Sequence, residues 1–362
     1  MKYSVILFAI CLAACTAKQQ QNKTADDNAW AMENFIKADS INPILSPSGK
    51  EKFVCPLQNK TVAWNEKNVL NPAAVVKDGK VYLLFRSQDS AMTSRLGLAV
   101  SNDGLHFTKM PEPFLYPAAD SMQQYEWKGG VEDPRLVETD DGRYILTYTA
   151  YDGRTARLCI ASSTNLQQWT KHGLMLTGKK YATTWSKSGA IIAENKNGRM
   201  LAVKINGRYW MYFGDTNLFL ASSADLLHWT VAENEETRQM ITVLHPRMGM
   251  FDSRLVEPGP FALLRPEGIL LIYNGSNAAR FNDSTLPKFT YSAGQALFDK
   301  TQPWKLLQRS SHSFIRPDKD YERMGEVNEV CFVEGLVHFN RKWFLYYGTA
   351  DSKIAVAVRE GE

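Results

Sequence analysis

The chain has 362 residues, of which 44% are hydrophobic and 22% charged, with a formal net charge of +4. This is the balance of an ordinary globular protein with enough length for a large core. It excludes a dedicated nucleic-acid binder, whose positive charge is larger and clustered, and no run of 18 apolar residues is present to cross a membrane.

In chain order, the first predicted element is a leader. Lys2 precedes an almost wholly apolar run over residues 3–14, which closes on Leu12-Ala13-Ala14-Cys15. A charged head, a short apolar run and small residues make a secretory signal. The cysteine directly after Leu-Ala-Ala resembles a bacterial lipobox, which predicts acylation of Cys15 and a signal peptide over 1–14. Residues 16–28, rich in Lys, Gln, Asn and Asp, read as a flexible tether, and the Ala-Trp-Ala-Met-Glu-Asn-Phe stretch within 27–39 predicts a short helix. Residues 15–40 are thus expected to join an anchor to a single domain over 41–362. The protein is expected to be an exported lipoprotein in the periplasm or on the surface of a Gram-negative bacterium, held to the membrane by its lipid alone. Of the remaining cysteines, Cys55, Cys159 and Cys331 show no C-x-x-C spacing and imply no zinc site. Cys159 and Cys331 sit in apolar strand patterns as small core residues, and at most one disulfide is expected.

From about residue 70 onward two patterns recur in phase. Ser101-Asn102-Asp103-Gly104-Leu105-His106-Phe107-Thr108 returns as Ser163 to Thr170 and again as Ser223 to Thr230, with Phe107, Trp169 and Trp229 in equivalent places. Asp78-Gly79 followed by Val81-Tyr82-Leu83-Leu84-Phe85 returns at Asp141-Gly142, Asn206-Gly207, Glu267-Gly268 and Asn340-Arg341, each time ahead of a β-branched and aromatic run. A turn pair before such a run is the signature of a hairpin. Five copies of one strand–hairpin–strand unit predict an all-β chain closed by radial repetition, a five-bladed β-propeller, which hides its sheet edges. Trp169 and Trp229 recur at equivalent positions and are expected to pack the core.

In a propeller the innermost strands surround the axis, and here their first residues are unusually polar. The blades open at Asn71-Pro72, at Glu132-Asp133-Pro134-Arg135, at Lys187-Ser188-Gly189, at Asp252 to Glu257, and near Glu329 and Glu334. Carboxylates converging on one funnel suit glycoside cleavage, in which one carboxyl protonates the leaving oxygen and another group activates the attacker. Several acids in one channel would raise the pKa of one of them and keep a proton available near neutral pH. Trp127 and Trp185 stand just ahead of two of these boxes and could stack on a sugar ring. His245-Pro246-Arg247 could bind an anion or lie on a surface loop. Arg86, Asp89 and Tyr151-Asp152 follow hairpin strands without being placed by the sequence.

Glu132-Asp133-Pro134-Arg135 after a glycine, Lys187-Ser188-Gly189, the Tyr-Trp-Met-Tyr-Phe-Gly-Asp run ending at Asp215, and Ser-Ala-Asp-Leu-Leu-His-Trp, one box per blade in order, resemble glycoside hydrolase family 130, over residues 65–362. The resemblance implies a five-bladed propeller acting on β-mannosides, with Asp133 as catalytic acid delivering its proton through a sugar hydroxyl. Most members are phosphorylases carrying a Tyr-His-Gly box whose histidine helps hold phosphate. This chain reads Tyr273-Asn274-Gly275 and adds an acid in Val256-Glu257-Pro258-Gly259, a departure that resembles the branch hydrolysing β-1,2-mannosides with inversion. The expectation is therefore an inverting hydrolase with Asp133 as acid, Glu257 as base and Asp215 as its rival. Lys187, Arg135, Arg254, Asn71, Asn274, Glu334 and Trp127 are the expected substrate-binding residues. The alternatives are a phosphorylase releasing mannose 1-phosphate and a non-catalytic glycan-binding lipoprotein. An oligosaccharide is the expected ligand, and with no H-E-x-x-H, calcium loop or Gly-rich phosphate loop no metal and no cofactor is expected.

Overall fold

The computed structural model describes residues 30–361, so the leader, Cys15 and most of the tether lie outside the described residues. Within them the chain is almost entirely strand, with only four-residue helices at Gln123–Glu126 and Asp320–Arg323 and a 3-10 turn at Lys179–Tyr181. The alternating apolar runs pair as the turn signals require, into five antiparallel groups. The first holds Asn68–Lys77, Lys80–Gln88, Ser94–Ser101 and Thr108–Lys109. The second holds Gly130–Glu138, Tyr144–Tyr151, Ala156–Ser163 and Thr170–Leu174. The third is built on Ala190–Lys196, Tyr209–Phe213 and Leu218–Ser223. In the fourth, Leu255–Pro258 and Ala262–Arg265 both pair with Gly268–Ser276, which pairs with Tyr291–Phe298. The fifth is Cys331–Phe339, Lys342–Thr349 and Lys353–Glu360, and its outer partner is Ile36–Lys37 from the other end of the chain.

That last pairing replaces the short helix expected around residues 27–39. Ile36 and Lys37 pair with Val358 and Ala357, and Met32 exchanges backbone hydrogen bonds with the buried Gln295 side-chain amide. Tertiary partners for these backbone groups outweigh a weak local helix preference. Lys37 fastens the strand by ion pairs of 2.6 Å to Asp318 and 2.7 Å to the buried Glu322.

The core lies between neighbouring groups. Leu84, Leu98, Val131, Leu146 and Tyr148 join the first to the second. Tyr212, Leu220, Val256, Leu271 and Phe298 join the third to the fourth, and Val69, Phe85, Val337, Phe344 and Tyr346 join the first to the fifth. Cys55, Cys159 and Cys331 are all buried and free. The recurring Ser-x-Asp/Asn turns share one hydrogen-bond scheme. Ser101, Ser163 and Ser223 Oγ accept from the backbone two and three residues on, and Asp103, Asn165 and Asp225 Oδ1 do the same. Trp169 and Trp229 each donate their indole N–H to the leucine carbonyl of that turn, in the core-packing role expected of them.

Candidate active site

The inner strands converge at their starting ends, and there the sheet register breaks. Pairing shifts between Leu70 and Pro72, between Glu132 and Arg135, and between Val333 and Gly335. Asn71, Asp133 and Glu334 are bulge residues, Asn71 with φ of 48° and Asp133 with φ of 47°. A β-bulge turns a side chain out of the sheet's alternation, and three groups use one to aim a polar side chain toward the axis. The fit there leaves no room for a Cβ at Gly335, which would lie 2.8 Å from the Pro72 carbonyl.

One amine holds the centre together. Lys187 Nζ stands 3.1 Å from Asp133 Oδ2 and 3.1 Å from Glu257 Oε1. Those two oxygens are therefore no farther apart than twice that distance, which is short of the ~6.5 Å lower edge of the inverting-pair separation. Asp133 Oδ1 also accepts from Asn71 at 2.9 Å and Arg86 at 3.1 Å. Glu132 Oε1 takes Arg86 at 2.6 Å and the Ser94 hydroxyl at 2.9 Å. Glu257 accepts from the buried Ser188 hydroxyl. Asp215 is half-buried and accepts the Trp185 indole N–H at 2.8 Å, while the Trp185 ring stands 6.3 Å from Tyr151 at the rim.

Burial and charge shift these carboxyls in opposite directions. Burial alone would push Asp133 up, but Lys187, Arg86 and Arg135 together outweigh it and hold the carboxyl well below its usual range. Burial dominates at Glu257 and raises it, with Lys187 and Arg135 opposing and the neighbouring acids adding to the rise. Glu132 is raised in the same way. Asp133, the expected acid, is thus lowered in the free protein while its neighbours Glu132 and Glu257 are raised. The physical reason is the triple contact of Asp133 with cations and an amide, which outweighs the crowding of acids. Asp351, which the sequence reading did not single out, belongs to the same cluster. Burial pushes it up to about 6 against the pull of Arg86, with Asp133 adding to the rise.

Three expected sugar-binding residues are committed elsewhere. Asn274 is fully buried and spends its amide on the Val333 backbone, donating to the carbonyl at 3.0 Å and accepting from the N–H at 2.8 Å. Glu334 is buried against Arg135, and burial raises it well above the ordinary range. Arg135 donates to the carbonyls of Gly259, Pro258 and Asp133 at 3.0, 2.8 and 3.1 Å, which leaves it a strut between strands. Arg254 is exposed over the Phe289 ring, 5.2 Å from its centroid, and Trp127 is half-buried. The Arg247 side chain is held by Asp252 and the Ser310 carbonyl, so His245-Pro246-Arg247 presents no free guanidinium for an anion. Arg86 and Ser188 are the functional contacts the sequence left unassigned. Their signal lay in their neighbours, since Ser188 sits inside the Lys187 box and Arg86 pairs across the strand from Leu70.

With this geometry in place, comparison with known proteins identifies the class. The chain belongs to glycoside hydrolase family 130, whose model, described as β-1,4-mannooligosaccharide phosphorylase, matches residues 36–362. It is 28% identical to a β-1,2-mannobiose phosphorylase of Thermoanaerobacter sp. (strain X514), over 89% of this chain and 96% of that protein. A solved glycosyl hydrolase from Bacteroides ovatus is 41% identical with a TM-score of 0.89, covering 91% of this chain and 95% of that one. Another solved structure, from work on glycoside hydrolases within the family that target β-1,2-mannosidic linkages in Candida mannan, is 41% identical with a TM-score of 0.90, over 92% and 95%.

Proposed function

We propose that the protein is a five-bladed propeller enzyme that hydrolyses β-mannosides, β-1,2-linked manno-oligosaccharides in particular, with inversion. The observation that carries this reading is Glu257, a buried carboxyl sharing Lys187 with Asp133. In the proposed reaction Glu257 removes a proton from water as it attacks the anomeric carbon. Asp133 supplies the proton that leaves with the departing oxygen, relayed by a sugar hydroxyl. Asp215, on the third group, is the second candidate base. Arg86, Asn71 and Lys187 orient the two carboxyls and the sugar hydroxyls between them.

Phosphorolysis is the second reading, favoured by the named activity of the relative at 28% identity. Three features of the site weigh against it. A phosphate dianion would meet Glu257 where water can be deprotonated. Asn274 has no free amide to offer it, and Arg135 has no free N–H fork. The solved structures described as glycosyl hydrolases are also the more similar in sequence. Lipid anchoring at Cys15 and export, which would place the enzyme where polymeric glycan is met outside the cytoplasm, belong to the same proposal.

The test is incubation with β-1,2-mannobiose with and without inorganic phosphate. Free mannose in both tubes is expected; mannose 1-phosphate formed only with phosphate would replace this reading by the phosphorylase. Glu257→Gln is expected to lose at least 100-fold in kcat while retaining sugar binding, because one general base contributes roughly 10²–10⁴. Full activity in that variant would move the base to Asp215.

A further inference from the structure

Beside the acidic centre lies a separate cavity of about 710 Å³. Its walls are Lys52 and the Gln58 to Val62 side of the hairpin that Phe53–Cys55 and Lys60–Val62 form, Glu66, the 89–93 loop of the first group, and Trp127-Lys128 ahead of the second. The walls are built rigidly. Asp89 accepts the Ala91 and Thr93 N–H groups and pairs with the buried Arg95 at 2.7 Å, and Arg95 lies 5.1 Å over the Phe53 ring, fixing the hairpin to the loop. The cavity is also joined to the centre. Ser94 N–H donates to the Gly129 carbonyl at 2.8 Å, and Ser94 Oγ touches Glu132. Gly130 to Asp133 is three residues of strand, ~10 Å at 3.3 Å each. What lines the space suits a carbohydrate. Trp127 is half-buried with no aromatic partner and no hydrogen bond to its indole N–H among the described residues, and Lys52, Lys60 and Lys128 are exposed and make no ion pair there.

We infer that this cavity is a distal subsite for the leaving-group end of a longer manno-oligosaccharide, with Trp127 stacking on a sugar ring and the lysines donating to its hydroxyls. The inference rests on the hydrolase reading and extends it to chain length. The direction follows from the proposed chemistry. In an inverting reaction the acid stands on the leaving-group side and the base on the opposite face. Asp133 comes from the second group, next to the cavity, while Glu257 comes from the fourth. Sugars beyond the first leaving residue therefore run toward Trp127.

The experiment compares kcat/KM for β-1,2-mannotetraose and β-1,2-mannobiose in the full chain and in Trp127→Ala. The tetraose-to-biose ratio is expected to fall roughly tenfold, the size of one aromatic contact. Because Trp127 is half-buried, the exposed pair Lys60→Ala/Lys128→Ala provides a second variant, expected to lower the same ratio about threefold, the loss of one modest hydrogen bond. An unchanged ratio in both variants overturns the subsite. If the unaltered chain cleaves neither sugar, the hydrolase reading fails on its own. Calorimetric titration of mannotetraose into the Asp133→Asn protein then decides the subsite: weaker binding on adding Trp127→Ala supports it, and equal or absent binding rejects it.

Discussion

At the scale of single residues, the site is a contest between burial and charge for a small number of protons. Asp133, Glu132, Glu257 and Asp351 stand close enough for their charges to act on one another, and Lys187 and Arg86 are the cations that decide among them. Asp133 and Glu257 share Lys187, so a change in the charge of one is felt by the other. The productive form for hydrolysis carries the proton on Asp133 and leaves Glu257 ionised, whereas the surroundings lower Asp133 and raise Glu257, so a bell-shaped dependence of kcat/KM on pH is expected. Ser188 tunes that pair by donating to Glu257, which favours the ionised carboxylate. Ser188→Ala should move the limb reporting Glu257 to higher pH and lower kcat about tenfold, since a hydrogen bond to a charged group contributes about 1.5 kcal/mol. A pH–rate profile in which that limb stays where it was would remove Ser188 from the tuning of the base.

At the scale of elements, the sequence was most legible where chemistry repeats along the chain. The Ser-x-Asp turns and the Asp-Gly or Asn-Gly hairpins are local devices, so their spacing alone marked the five antiparallel groups and the core roles of Trp169 and Trp229. The bulges at Asn71, Asp133 and Glu334 were not legible, because register depends on the partner strand and not on the strand's own letters. For the same reason Asn274 and Glu334 read as sugar ligands: their position at a strand start was right, but their burial was decided by Val333 and Arg135 on other groups. The strand at Ile36–Lys37 was hidden because its partner lies more than 300 residues away. The turn repeat itself is testable. At Asp225, partial burial would raise the carboxyl, but the His228 side chain and the His228 and Leu227 N–H groups outweigh it and hold it well below its ordinary value. A depressed carboxyl stabilises the fold above its unfolded pKa near 3.9 and loses that contribution as pH falls below it. Asp225→Ala is therefore expected to cost about 1 kcal/mol at pH 7, with the difference from the unaltered protein shrinking below pH 4 in denaturant titrations. A pH-independent cost would assign the effect to the backbone turn and not to the carboxylate.

At the scale of the whole molecule, strand starts from five antiparallel groups meet in one site, and Arg135 is the residue that ties three of them together. It leaves the second group, donates to the Pro258 and Gly259 carbonyls of the fourth, and pairs with Glu334 of the fifth. Asn274 adds a fourth-to-fifth link through Val333. A buried ion pair adds little net stability against an apolar pair of the same shape, but removing one partner strands the other without compensation. Arg135→Met should therefore destabilise the protein by about 3–5 kcal/mol, since Glu334 would be left as an unpaired buried acid beside the carbonyls of Pro258, Gly259 and Asp133 that lose their donor. Protonating Glu334 relieves part of that penalty, so the loss should be smaller at pH 5 than at pH 8. The double variant Arg135→Met/Glu334→Gln, which removes the stranded acid, should recover at least 1 kcal/mol in urea unfolding while kcat stays depressed, because Pro258 and Gly259 directly follow Glu257 and their carbonyls fix its position. Equal stabilities for the single and double variants would show that Glu334 is neutral in the single variant, and that Arg135 holds the axis through its carbonyl contacts alone.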